Sequence, residues 1–476
     1  MRPGVAILSL TVYFLAALAA LHRRPTSAHG ISRARQILPL FDNLSWLSSV
    51  VTPGDLSSSP YATGSSRPVV AHMMVGNTYP YRLEDWKKDI KLALAHGIDG
   101  FALNIGSDDW QEARVADAYT AARGTKFKLF ISFDMAVIPC GSRADAERIR
   151  KYILSHQSHP NQMKFSDRIV VSTFAGESCR FGTGSLNQGW SETLKSPDMP
   201  PVWFIPSFFI DPSEFPYLTV MDGYFSWNAG WPMTDQEVTF ETDKHLIDRL
   251  GGRGYMAPCS PWFFTHYGVE TYSKNFIYSG DNWLFVERWE HLIANRAQLE
   301  MVQVLTWNDY GESHYIGPIE GAQPMSEAWV NGFDHQGWLD LQQYYISAFK
   351  SGVYPSVLRD RIFLWARLFP ASAEAPSDHI GKPSGWQHTE DFLWAMVFST
   401  GGSSSVRLRC GEYSEVTELS GAGPFKLRMP LTGPGGQVSA TLWRNGVSVV
   451  SLVPTGFVFS RYPTSYNFNA FVASSP

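Results

Sequence analysis

Cysteine is scarce. Four in 476 residues cannot form the framework of a disulfide scaffold, so the fold must rest on an apolar core, for which 44% hydrophobic residues suffice. Charge is thin as well: Asp, Glu, Lys and Arg make up 17%, the formal net charge is -5, and no Lys/Arg cluster stands out. That excludes the basic footprint of a nucleic-acid partner. Three signatures are also missing: a G-x-S-x-G elbow, a Gly-rich phosphate loop, and a His/Asp/Glu set at metal-ligand spacing. No metal or cofactor is therefore expected. Past the N-terminus, no segment is long and apolar enough to cross a membrane.

What the chain has in surplus is aromatic: 17 Trp, 20 Tyr and 30 Phe, or 14%. Such rings fill a large core, and they also supply flat apolar faces with a polar edge for stacking on sugars. Arg2 precedes the apolar run "VAILSLTVYFLAALAAL", with small residues at "LAALAA" and "TSA" as cleavage points. Residues 1–28 therefore read as a secretory signal, with a signal anchor as the alternative, and the mature protein is expected to be secreted, free of the membrane and monomeric. Residues 29–67, rich in Ser, Pro and Gly, read as a flexible lead-in that carries one N-x-S/T acceptor, Asn43. Cys140 and Cys179 follow neighbouring strand ends and are the expected disulfide, while Cys259 and Cys410 are expected to be buried thiols.

From Val69 a rhythm of strand and helix begins. "VVAHMM", "GFALNIG", "KLFISFDM", "RIVVSTFAG", "VWFIPSFFI", "GYFSWNAG", "GYMAPCSPWFF" and "MVQVLTW" are apolar runs of strand length, as expected where both faces are buried. Helical patterns separate most of them, for example "YRLEDWKKDIKLALAHG" and "ADAERIRKYILSH". Eight such units over roughly 300 residues fit a (β/α)8 TIM barrel. A doubly wound sheet fits less well, because "AHMMVGNTYPY" is no phosphate loop. The barrel is assigned to residues 68–368, a linker to 369–385, and a C-terminal all-β sandwich domain to 386–476, where short alternating segments and the turn "RNGV" recur.

Catalytic groups of such a barrel stand at the C-terminal ends of its strands. His72 lies within the first strand, Asn104 ends the second, Asp134 ends the third and Glu177 follows the fourth. Trp227 and Asn228 end the sixth, and the eighth runs into Trp307, Asn308, Asp309, Tyr310, Glu312 and His314. Singly each has an ordinary explanation: a core histidine, a turn amide, or an N-cap with a first-turn acid for Asp309 and Glu312. Together they supply what cleavage of a glycosidic bond needs, namely two carboxyl groups across an anomeric carbon with hydrogen bonders and aromatic platforms.

The stretches "AHMMVGNTYPYRLEDWKKDIKLALAHGIDGFALNIGSDDW", "FKLFISFDM" and "TWNDYGESHYIGP" resemble glycoside hydrolase family 71, the fungal α-1,3-glucanases or mutanases. The resemblance covers residues 68–355. It implies a secreted barrel enzyme with an appended β domain, endo-acting on α-1,3-glucan with inversion, and it places catalytic carboxyls at Asp309, Glu312 and Asp134. Glu312, further along its loop, is expected to be the general acid and Asp309 the base, with Asp134 stabilising positive charge. His72, Asn104, Trp227, Asn228, Trp307, Asn308, Tyr310 and His314 are expected to hold the sugars. Cleavage of another glucan linkage, or non-catalytic binding of wall glucan, are the competing readings.

Overall fold

The computed structural model describes residues 67–232 and 237–476. The expected signal segment, almost all of the lead-in and Asn43 lie outside the described residues. Among the described residues eleven strands precede residue 305: β1 (Val69–Met74), β2 (Gly100–Ile105), β3 (Lys128–Asp134), a short β4 (Lys164–Phe165), β5 (Arg168–Phe174), β6 (Val202–Ser207), β7 (Gly223–Phe225), β8 (Gly254–Cys259), a hairpin of β9 (Phe264–His266) and β10 (Asn275–Ile277), and β11 (Met301–Val304). Setting aside β4 and the hairpin, eight parallel strands follow one another in chain order. β1 pairs with β2, β2 with β3, β3 with β5 and β5 with β6, while β7 pairs with β8, β8 with β11 and β11 back onto β1. Among the described residues β6 and β7 share no ladder. Across that gap the Asp222 N–H donates to the Phe204 carbonyl (2.9 Å), and the Asp222 carboxylate accepts the Phe204 N–H (2.8 Å).

Strand alternation sorts the side chains into two layers. Val70, Ala102, Phe130, Val170, Ile205, Met256 and Met301 form one apolar cluster on the sheet's inner face. Phe101, Leu103, Ile131, Val171, Phe204 and Val302 belong to the outer layer and pack with helix residues such as Trp86, Val115, Ile149, Trp190 and Trp289. Burial on both faces explains why these strands are apolar throughout.

The helices on the outer face are α1 (Leu83–Ala95), α2 (Gln111–Ala122), α3 (Arg143–His156), α4 (Leu186–Leu194), α5 (Glu241–Leu250), α6 (Leu284–Ala294), a short α7 (Glu327–Val330) and α8 (Gln336–Ser351). α1 begins with the Arg82 N–H donating to Asp85 (2.7 Å) and buries Trp86, Ile90 and Ala93, one face at helical spacing. α4 falls in a stretch without clear apolar period. Its Gly189 is required by packing, since a Cβ there would lie 2.5 Å from the Arg180 carbonyl. Between β6 and β7 the chain forms only a 3-10 turn, Pro212–Tyr217, with prolines at its start and inside it. The expected disulfide is present: Cys140 and Cys179 are bonded (2.08 Å), and Cys259 and Cys410 are buried free thiols. Among the described residues no helix is long and apolar enough to cross a membrane.

The second sheet is antiparallel and contains β12 (Arg361–Ala366), β13 (Phe392–Cys410), β14 (Tyr413–Pro430), β15 (Gly435–Arg444), β16 (Val447–Leu452), β17 (Val458–Ser460) and β18 (Phe471–Ser474). β13 pairs with β14 along almost its whole length, and a register shift between Thr400 and Ser403 divides its other edge between β12 and β15. Two boundaries read from the sequence shift as a result. Arg361–Ala366, assigned there to the barrel, pairs with β13 and β18. Residues 369–385 are no free linker: Ser384 exchanges backbone hydrogen bonds with the hairpin, its carbonyl accepting the Ile277 N–H (2.9 Å) and its N–H donating to the Asn275 carbonyl (3.0 Å).

The two sheets share a buried junction. Arg367 ion-pairs with Asp281, from the loop before α6, at 2.8 Å and with Asp391 at 2.7 Å. Trp262 Nε1 donates to the Phe468 carbonyl (3.1 Å), and Trp283 packs edge-on against Trp365 and Trp394. Because Arg367 and Asp281 are almost fully buried, removing one leaves the other charge uncompensated. Arg367→Met should therefore cost about 3–5 kcal/mol, measured by urea unfolding, with both sheets lost in one transition.

Candidate active site

The C-terminal ends of the parallel strands carry the polar groups. Alternation on β1, β2, β3 and β11 directs His72, Asn104, Asp134 and Gln303 to the same face as the inner apolar cluster. His72 is buried, with Nδ1 3.0 Å from Gln303 Nε2, and its ring stands edge-on to Trp227 at 5.0 Å. Burial first, then the nearby His314, hold the His72 imidazole down to about pKa 3, so it is neutral.

After β11 the chain folds into a tight loop from Thr306 to Ile316. The Thr306 N–H donates to the His314 carbonyl (2.7 Å), the Ile316 N–H donates back to Thr306 (2.9 Å), and Thr306 Oγ1 accepts the Asp309 N–H (2.8 Å). Ser313, between Glu312 and His314, sits in the left-handed region at φ 59°. That conformation brings two side chains only two residues apart together: His314 Nε2 lies 3.0 Å from Glu312 Oε2 and 3.8 Å from Asp309 Oδ2. His314 is itself fully buried among Trp227, Trp231 and Phe263.

Sequence reasoning missed Lys274. It precedes β10 in the hairpin inserted after β8, and its Nζ lies 3.1 Å from Glu312 Oε1 with both side chains less than one-fifth exposed. The Phe264 N–H of the same hairpin donates to the Glu312 carbonyl (3.0 Å). In the sequence, "TYSKNFIYSG" has no long apolar run or helical stripe to single it out. Its short alternation of polar and aromatic residues was the available signal.

The three carboxyls therefore differ in charge state. Burial alone would raise Glu312, but Lys274 and the hydrogen bond from His314 outweigh it and hold the carboxyl down to about pKa 2. Asp309 is pushed up to about 6, first by burial and then by the charge on Glu312. Asp134, three strands round the sheet, is raised to about 6 by burial, against the Ala136 N–H (3.1 Å) and Lys274. Burial would lower Lys274, but Glu312, Asp309 and Asp134 keep it raised, so it stays an ammonium ion. A proton donor needs the higher pKa. The electrostatics favour the opposite order from the expected one: Glu312 ionises first, and Asp309 keeps its proton to higher pH.

Four residues expected to hold sugar do other work. Trp307 is buried in the outer layer, 5.1 Å from Phe101. Asn308 accepts the Met74 N–H (2.7 Å) and donates to the Met74 carbonyl (3.1 Å), tying the end of β1 to the loop after β11. Tyr310 is buried, and its hydroxyl donates to the Pro318 carbonyl (2.9 Å). His314 spends its ring nitrogens on Thr306 and Glu312. A side chain whose polar atoms are spent inside the fold has none left for a ligand. Asn104 is buried at the strand end, Asn228 is exposed, and Trp227, 8% exposed, lines the wall between His72 and His314. Glu177 accepts the Phe209 N–H (3.3 Å).

Asp309, Glu312 and His314 bring one donor atom each within 4.8 Å of one another, a set a cation could use. The Lys274 ammonium already supplies the positive charge at Glu312, so no metal is assigned. A raised Asp309 pKa means that ionising this side chain costs stability in the folded state. The cost is absent below about pH 4, grows as pH rises toward 6, and is constant beyond. Asp309→Asn should therefore leave stability unchanged at pH 4 and raise it by on the order of 1–3 kcal/mol at pH 7, checked by thermal unfolding across that range.

The profile described as glycosyl hydrolase family 71 matches residues 65–476. The chain is 41% identical over 420 residues to the glucan endo-1,3-alpha-glucosidase agn1 of Schizosaccharomyces pombe, covering 86% of this chain and 95% of that protein. It is 33% identical over 451 residues to a mutanase of Penicillium rubens (92% and 96%), and 32% identical over 364 residues to the ascus wall endo-1,3-alpha-glucanase of Schizosaccharomyces pombe (72% and 81%). The chain belongs to glycosyl hydrolase family 71.

Proposed function

We propose that the protein is a secreted endo-acting enzyme that hydrolyses α-1,3-glucosidic bonds of fungal wall α-1,3-glucan. One observation carries the reading: two carboxyls in one buried loop are pushed apart in acidity, Asp309 raised by burial and by Glu312, and Glu312 lowered by Lys274 and His314. The names of the relatives support the linkage, and that of the ascus wall endo-1,3-alpha-glucanase supports a wall location. In this reading the eight parallel strands close as a (β/α)8 barrel across the Asp222–Phe204 hydrogen bonds, with the C-terminal sheet as a sandwich against it.

Asp309 donates its proton to the glycosidic oxygen as the bond to the anomeric carbon breaks. Glu312 accepts a proton from the water that attacks that carbon from the opposite face. Asp134 faces the positive charge that develops on the ring, while Trp227 and His72 wall the sugar. Inversion needs a gap of about 6.5–9.5 Å between donor and acceptor carboxyls. One oxygen of Asp309 and one of Glu312 lie within 4.8 Å of each other, closer than that gap, so inversion by this pair would require the two side chains to separate. The close approach favours a second reading, retention with Glu312 as nucleophile.

Reducing ends should appear from insoluble α-1,3-glucan and not from α-1,4- or β-1,3-glucan. Glu312→Gln and Asp309→Asn should each lose at least about a hundredfold in turnover. Absence of reducing ends alongside retained glucan pull-down would overturn catalysis in favour of wall binding. NMR of the first anomer released should show the β form; the α form would establish retention.

A further inference from the structure

The hairpin that carries Lys274 does not hold itself in place. Two three-residue strands bury too little to be stable alone. Its outer support comes from the C-terminal part of the chain. His266 on β9 has Nδ1 2.8 Å from Asn275 Oδ1 on β10 and Nε2 2.9 Å from Asp378 Oδ2. Both His266 and Asp378 have side chains about one-twentieth exposed. Asp378 also accepts the Tyr466 and Ile380 N–H groups (2.8 and 3.1 Å), which fixes it in turn to the chain before β18. Asn275 Nδ2 donates to the Gly381 carbonyl (3.0 Å), and Ser384 pairs with the hairpin backbone. Gly385, at φ 86°, passes so close to the Ile277 carbonyl that a Cβ would collide with it. Asn275 is the next residue after Lys274.

We propose that residues 378–385 are a working part of the active site: Asp378, through His266 and Asn275, positions the hairpin so that Lys274 meets Glu312. The inference rests on the hydrolase reading above, and it makes Asp378, His266 and Asn275 positioning residues rather than catalytic ones. Glu312 faces Lys274 from the hairpin, Asp309 and His314 from its own loop, Asp134 from β3, His72 from β1, and Tyr267 and Tyr278 from the ends of β9 and β10. Lys274 is the only ammonium or guanidinium named among these groups, so displacing it lets all three carboxyls take up protons more readily.

The test uses the full-length secreted protein with Asp378→Ala, the conservative Asp378→Asn, Lys274→Met, and the Ala/Met double variant. Asp378→Ala should lower kcat about tenfold with little change in KM, and should move both limbs of the pH–rate profile upward by about half a unit. Asp378→Asn should restore most of the rate. In the Lys274→Met background Asp378→Ala should add no further pH shift. Equal, additive losses with an unmoved pH profile would overturn the inference and leave Asp378 a purely structural residue. Asn275→Ala serves as the second route should Asp378→Ala not fold. A readout independent of catalysis is the rate at which N-hydroxysuccinimidyl acetate acetylates Lys274, followed by peptide mass spectrometry. It should rise about fivefold in Asp378→Ala as the hairpin loosens, and an unchanged rate would overturn the positioning role. Should wild type release no sugar from α-1,3-glucan while that acetylation still responds to Asp378, the substrate reading fails and the positioning role stands.

Discussion

One buried ammonium allows the carboxyls at the strand ends to coexist. Asp134, Asp309 and Glu312 gather in a largely apolar mouth, where desolvation and mutual repulsion both oppose ionisation. Lys274 lies against Glu312 and, with His314 on the other carboxylate oxygen, keeps that group charged. The charge it retains is what raises Asp309 next to it. Two similar side chains in one loop thus differ in acidity, by environment rather than by chemistry.

That dependence explains features that look unrelated. The insertion after β8 carries Lys274 to Glu312, and Ser313, in the left-handed region, turns His314 back toward Glu312. The aromatic wall of Trp227, Trp231 and Phe263 excludes water from around His314, which strengthens its hydrogen bond. The C-terminal sheet is joined to this arrangement by buried groups with no solvent to replace them: Arg367 with Asp281, Trp262 with Phe468, and His335, whose ring nitrogens lie 2.9 and 3.0 Å from the Tyr315 and Ala470 carbonyl oxygens. Tyr315 lies on the same loop as the carboxyls, so the second sheet braces that loop from behind.

The strands were legible because burial on both faces leaves a plain apolar run, and all eight parallel strands were found in order. Helices with caps and a clear stripe, such as Leu83–Ala95, were legible for the same local reason, whereas Leu186–Leu194 was not, its Gly189 answering to a neighbouring carbonyl. The disulfide followed from two loops at the same end of adjacent strands. The linker reading failed because Pro and Gly in residues 369–385 signal a turn equally well whether the turn is free or docked. Trp307, Asn308 and Tyr310 resemble sugar-binding residues in composition, and only their contacts reveal that they brace the loop.

By itself the sequence determined the parallel strand order and the resemblance to an α-1,3-glucanase family, together with the presence of Asp134, Asp309 and Glu312 at strand ends. These are local or collinear properties: apolar runs, caps and motifs that survive being read one residue after another. The tertiary structure decided which carboxyl ionises first. That depends on Lys274, thirty-eight positions away from Glu312 in the chain, and on a hairpin held by Asp378, more than a hundred positions beyond its partner His266. A pKa is set by distance and burial in space, and neither can be read along the chain.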